Sequence, residues 1–140
     1  MDLSLSEEQQ LLKDSAARFV KDHYSVEQKR ALRDTEPGFS ADNWQKFAEL
    51  GWLALPFAEA DDGIGGGALD VAVLMEEFGR GLVAEPFLVN VAICGAFLRR
   101  ASESLRAAHI PKLMEGQSQW AFAYAEANSR YRLNNVATVA

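Results

Sequence analysis

Apolar positions recur at intervals of three and four residues from Leu12 to Leu113, and only beyond them does the rhythm change to strict alternation. Leu12, Ala16, Phe19 and Val20 share one helical face. Ser6 and Gln9 form a capping box ahead of them, and Glu7 and Glu8 sit at the positive end of the helix dipole. This pattern predicts a helix from Glu7 to Tyr24, then a shorter polar helix from Val26 to Asp34 that "TEPGF" ends at Pro37 and Gly38. Ser40 or Asp42 caps a third helix bearing Trp44, Phe47, Ala48 and Leu50, with Gly51 in the place that a helix-ending glycine prefers. Further on, Val71, Leu74, Met75 and Phe78 form one stripe and Leu69, Ala72 and Val73 another, predicting a helix covered on two sides.

Pro86 suits the first turn of "PFLVNVAICGAFL", a buried helix whose one strongly polar side chain is Asn90 and which is too short to span a membrane. A last helix from Ser104 to Glu115 ends at Gly116, and Pro111 is expected to kink or restart it. "QWAFAYAE" then alternates Trp120, Phe122 and Tyr124 with small alanines, the signature of a β-strand, and "NNVATVA" reads as the start of another. The fold class expected is therefore mostly α, a helical domain over residues 1–117, followed by an incomplete β region over residues 118–140.

Composition narrows the function. The 140 residues carry a net charge of −6, which leaves no broad basic field for nucleic acid and argues against an anionic membrane surface. Cys94 is the single cysteine, so neither an internal disulfide nor a cysteine-rich metal cluster forms, and a cytoplasmic setting fits. The start, "MDLSLSEEQQLL", lacks the basic and apolar regions of a secretory signal. His23 and His109 show no ligand spacing, so no metal site is expected. Glu76 and Glu77, adjacent on a helix, point in different directions and do not read as an acid/base pair.

Gly63, Gly65 and Ala68 satisfy G-x-G-x-x-A, the pattern of a dinucleotide loop. Such a loop follows a buried strand, whereas here Pro56, Glu59, Asp61 and Asp62 precede it, and their charge would repel a pyrophosphate. A tight corner between helices is the better reading.

The stretches "LGWLALPFAEADDGIGGGALDVAVLMEEFGR" and "IPKLMEGQSQWAFAYAEANSRY" resemble the acyl-CoA dehydrogenase family. The similarity lies in the L-G-x-L-x-x-P helix end, the glycine corner, the M-E-E-x-G-R helix, the P-K-L-x-x-G helix end and the strand that follows. This resemblance implies an amino-terminal helical domain and the beginning of a middle β-domain in a homo- or hetero-oligomer. It also implies FAD as cofactor, an acyl-CoA thioester oxidised at its Cα–Cβ bond, and an electron-transfer flavoprotein as electron acceptor. On the matching positions it places Phe122, Tyr124, Ala125, Glu126 and Ser129 at the flavin, and Leu88, Val91 and Ala92 along the acyl chain. Glu126 is an anchoring carboxylate rather than a base, and no catalytic residue is assigned, because family bases lie in a carboxy-terminal bundle. Where the family has Thr or Ser before Glu-Pro, this chain has Ala125, Glu126 and Ala127, and "NSRY" replaces a glycine- and serine-containing phosphate segment. The departures resemble a divergent branch that includes small subunits acting on CoA esters of dicarboxylic or steroid-derived acids. A non-catalytic partner subunit or helical interaction module is the alternative.

Overall fold

The computed structural model describes residues 4–130 and 132–139; Met1 to Leu3, and Tyr131 and Ala140 at the ends of "NSRY" and "NNVATVA", lie outside them. The described chain is helical: α1 (Glu7–His23), α2 (Val26–Arg33), α3 (Ala41–Glu49), α4 (Ala68–Gly81), a π-helical stretch Leu88–Cys94 that runs into α5 (Gly95–Leu98), and α6 (Glu103–Met114).

The capping chemistry works as the sequence predicts. Ser6 and Gln9 exchange side-chain-to-backbone hydrogen bonds ahead of α1, and the structure adds a second capping box, Ser25 with Gln28, ahead of α2. Ser40, not Asp42, caps α3 by accepting from the Asn43 amide, and Asp42 lies in the first turn instead. Tyr24 and Asp34 fall at the C-caps of α1 and α2, one residue beyond the last helical position in each case.

α1 packs along α4 around an aromatic centre. Phe47 stacks on Phe78 with ring centroids 4.9 Å apart, and Phe19, Trp52 and Phe87 close round them edge-on or tilted. Gly81 sits so close to Val20 that a Cβ there would overlap its side chain. Lys13 of α1 reaches Glu76 at 3.3 Å, while Arg80 bonds Glu77 at 2.8 Å. The two adjacent carboxylates therefore converge on the same cations, one buried and one exposed, rather than diverging. The Val71, Leu74, Met75 and Phe78 stripe of α4 is buried or half-buried throughout, whereas in the other stripe Leu69 and Ala72 are exposed.

The glycine corner is closed on itself. The amides of Gly65 and Gly66 each donate at 2.7 Å to the carbonyls of Phe57 and Leu55, and Gly63 donates to Ala58 at 2.9 Å. A Cβ at Gly63 would overlap the Phe57 carbonyl, and Gly65 has φ +78°. The Gly67 amide is taken by Asp70 at 2.6 Å. Backbone donors spent in this way cannot cradle a phosphate, so the sequence match has a purely steric origin.

α6 continues through Pro111 as one helix, without the restart that the proline could have caused. The hydrogen bond a proline cannot donate falls to the Ala107 carbonyl, on an exposed residue where water can supply it. The "QWAFAYAE" segment is irregular, with the Tyr124 amide turning back to the Phe122 carbonyl at 2.9 Å, and no strand occurs among the described residues. Alternation marks strand character, but a strand exists only once its backbone pairs, and here Trp120 bonds to a side chain instead.

Tyr24, Glu85 and Ser40 form a buried tie between helix junctions. The Tyr24 hydroxyl donates to Glu85 Oε2 at 2.5 Å, and the Ser40 amide donates to Oε1 at 3.2 Å. Burial, reinforced by the Glu85 carboxylate, holds the phenol's pKa well above the ordinary tyrosine value. The neutral phenol is thus favoured in the fold, so its contribution is complete below the unfolded value of about 10 and declines as pH rises above it. Chemical denaturation of the wild type should show stability falling more steeply above pH ~10 than in Tyr24→Phe. At neutral pH that substitution should cost about 1–3 kcal/mol by stripping a partner from a buried carboxylate. Gly65→Ala should cost on the order of 1 kcal/mol in the same measurement, and Gly63→Ala more, with no selective loss of FAD or CoA binding.

Candidate functional site

The segment after α6 lies across the outer end of the π-helix. Trp120 donates its amide to Asn90 Oδ1 at 3.1 Å and its indole N–H to Ser118 Oγ at 3.3 Å, and it stands edge-on to His109 with centroids 5.1 Å apart. Asn90 is wholly buried and its Nδ2 has no partner. Phe97, expected inside a buried helix, is 60% exposed, because the π-helical turns and α5 bury Asn90, Val91, Cys94 and Leu98 on the other side. Its ring meets Phe122 at 5.2 Å, and Phe122 stacks on Tyr124 at 6.0 Å. Three aromatic rings thus form one exposed ladder, beside a groove of about 280 Å³ walled by Cys94, Leu98 and Trp120. Burial raises the Cys94 thiol's pKa, which keeps it protonated and inert.

The five residues expected at the flavin separate into two groups. Phe122, Tyr124 and Ala125 are exposed. Ser129 is buried, its hydroxyl donating to the Glu126 carbonyl at 3.0 Å and accepting from the Glu126 amide at 3.1 Å. The Glu126 carboxylate accepts from the Ala137 amide at 2.7 Å and from the Thr138 amide and hydroxyl at 3.0 and 2.7 Å. Those donors, Ala137 first, hold it below the usual carboxylate range. Glu126 and Ser129 therefore shape the turn, while the aromatic pair and Ala125 present a surface.

The three residues expected along the acyl chain also part company. Val91 is in the core, Ala92 is half-buried, and Leu88 is 49% exposed in a groove of about 330 Å³ beside Met75, Gly79, Leu82 and Phe87. Gly79 faces open space, with no atom near where a Cβ would stand. Phe97 carried no separate signal in the sequence, because an apolar run reads the same on every face until the packing is known, and Asn90 stood out as the polar residue of the run without indicating its partner. Among the described residues no group of His, Cys, Asp and Glu could hold a metal ion, and no helix is long and apolar enough to cross a membrane.

Residues 6–117 match the acyl-CoA dehydrogenase N-terminal domain, and the chain belongs to that family. It is 29% identical over 142 residues to acryloyl-CoA reductase (NADH) of Anaerotignum propionicum, an alignment covering all of this chain and 36% of the relative. It is 39% identical over 85 residues to acyl-CoA dehydrogenase IpdE2 of Mycolicibacterium smegmatis, covering 60% of this chain and 27% of that protein. Among solved structures, the ChsE4-ChsE5 complex from Mycobacterium tuberculosis superposes with a TM-score of 0.79 at 26% identity, over 85% of this chain and 33% of that one. The FAD complex of PigA gives 0.67 at 28% identity, over 85% and 32%. The chain spans about a third of the length of the relatives it matches.

If the aromatic ladder is a working surface rather than part of the core, Phe122→Ala and Tyr124→Ala should each shift the thermal midpoint by no more than the equivalent of about 0.5 kcal/mol, as surface substitutions do. Asn90→Ala should cost about 1–3 kcal/mol, because it leaves the half-buried Trp120 amide without its acceptor and empties a buried site.

Proposed function

We propose that the chain supplies the helical amino-terminal domain, residues 1–117, and the beginning of the middle β-domain, residues 118–140, of an FAD-dependent acyl-CoA dehydrogenase. The observation that carries this reading is the exposed ladder in which Phe97, inside the matched domain, meets Phe122 and Tyr124 just downstream of it. An apolar, solvent-facing aromatic surface with a small alanine beside it fits the ring system of a flavin. When bound, FAD would accept the hydride that leaves the β-carbon of the acyl thioester.

The chain's own residues do the rest of what is proposed here. Phe122 and Tyr124 hold the ring face and exclude water, Ala125 gives close backbone approach, and Glu126 and Ser129 fix the turn that presents them. Leu88 and Ala92 border the acyl chain, and Val91 supports them from the core. The substrate is an acyl-CoA of fatty or steroid side-chain type, the electron acceptor an electron-transfer flavoprotein, the assembly a homo- or hetero-oligomer, and the setting cytoplasmic. No base for α-proton removal is assigned. Among the described residues the buried carboxylates are Glu77 and Glu85, and they are already bonded to Arg80 and to Tyr24 with Ser40. That same commitment is what favours the second reading, a non-catalytic partner subunit with this architecture.

Flavin titration monitored by absorbance separates these readings. Phe122→Ala and Tyr124→Ala should each weaken FAD binding by about three- to tenfold, the range expected for one lost aromatic contact; unchanged affinity in both would overturn the flavin assignment. The 140-residue chain with saturating FAD, a panel of acyl-CoAs and an artificial acceptor should give no turnover. In an active protein that contains the chain, Leu88→Phe or Ala92→Phe should depress kcat/KM on bulky acyl groups by on the order of tenfold while sparing short ones. Equal loss on every chain length would mean core damage instead.

A further inference from the structure

A groove of about 420 Å³ lies between α2 and the turn that follows α4, and three features of it go unexplained by the core. The first is α2 itself. It is well capped, yet none of its residues is fully buried and only Lys29 and Leu32 are half-buried, so packing holds it lightly. Val26, Lys29, Arg30 and Arg33, at the i, i+3, i+4 and i+7 spacing of one helical face, all line the groove. Arg33 is paired with Asp34 at 2.9 Å, whereas Lys29 and Arg30 form no ion pair among the described residues. Two uncommitted cations over an apolar cleft stand out in a chain of net charge −6.

The second feature is Leu82, which is 72% exposed and has φ +50°. A helix end in the left-handed region ordinarily takes glycine, so this residue bears both backbone strain and exposed hydrocarbon. Both costs are accounted for if the side chain lies against something. The third is the floor. Tyr24 lines the groove while its hydroxyl is committed to Glu85, and Leu32 and Ala84 complete an almost wholly apolar wall.

The geometry points to a binding site for a single-chain aliphatic carboxylate, with its hydrocarbon against Val26, Leu32, Leu82 and Ala84 and its head between the Lys29 ammonium and the Arg30 guanidinium. The volume is that of a small-molecule pocket. A stable protein interface needs roughly 800 Å² from each partner, more than a cleft beside one eight-residue helix provides. The cation pair selects an anionic head over a neutral one, and the long Lys29 stem covers hydrocarbon while its charge stays at the rim. This site stands independently of the dehydrogenase reading.

Calorimetric titration of the full chain with dodecanoate and with dodecan-1-ol, both below their aggregation concentrations, tests it. Dodecanoate should bind saturably, about tenfold or more tightly than the alcohol, the share expected of a charge-assisted contact. Lys29→Gln/Arg30→Gln should bring the acid to the alcohol's affinity and leave the alcohol unchanged. Leu82→Gly should weaken both ligands by on the order of tenfold without lowering the melting temperature, because glycine is the relaxed occupant of that backbone conformation. Absence of saturable dodecanoate binding, equal affinities for acid and alcohol, or indifference to the double substitution overturns the proposal. So does ligand-free self-association that Leu82→Gly abolishes, which would assign the groove to a second copy of the chain. Neither Lys29 nor Arg30 is buried, so the test remains decisive even if Leu82→Gly perturbs the fold.

Discussion

The open side of this molecule depends on one buried carboxylate. Glu85 lies in the link between α4 and the π-helix, and it is held by the hydroxyl of Tyr24 at the end of α1 and by the amide of Ser40 at the start of α3. A carboxylate withdrawn from water is tolerated only with hydrogen-bond donors in place, so the three junctions must meet at that point or the charge is stranded. Once they meet, the remaining geometry follows. The chain must leave α4 through the left-handed Leu82, and the π-helix must begin with Phe87 inward and Leu88 outward. The two grooves on either side of Leu82 are thus products of a polar constraint, although their walls are apolar.

Features governed by local chemistry were legible in the sequence. The capping box of α1, helix-ending glycines and the conflict between a phosphate loop and its acidic, proline-containing approach all act within a few residues, where spacing alone decides the outcome. The glycine corner shows how far this goes: the rejection of a phosphate cradle rested on charge, and the structure adds that the amides are spent on the carbonyls of Leu55 and Phe57. The family resemblance, too, was legible, because its motifs lie in helix ends and corners of this kind.

What stayed hidden depends on partners distant in sequence. Tyr24 and Glu85 are 61 residues apart, and neither residue type announces the other. The apolar run from Phe87 to Leu98 reads as uniformly buried, yet Leu88, Val89 and Phe97 face outward, since which face is covered is a property of the neighbours rather than of the run. Glu76 and Glu77 were expected to diverge, and they do differ in burial, but long cationic side chains from two helices bridge the difference. Alternation in "QWAFAYAE" reports the two faces of a strand but not the pairing that would make it one.

Exposed apolar side chains occur along the whole chain, but some of them are contiguous. Phe97, Phe122 and Tyr124 form one contiguous ladder, and Leu82 and Leu88 border adjoining grooves. Single exposed leucines need no explanation, but contiguous aromatic and aliphatic surface costs solubility and persists when something covers it in use. The ladder is anchored from below, since Asn90 fixes the Trp120 backbone two residues before Phe122. An arrangement held by a wholly buried amide yet open on its outer face has the character of a preorganised contact surface, whose rings need not be ordered anew when a partner arrives. The same argument applies at Leu82, where backbone strain holds an apolar side chain in the open.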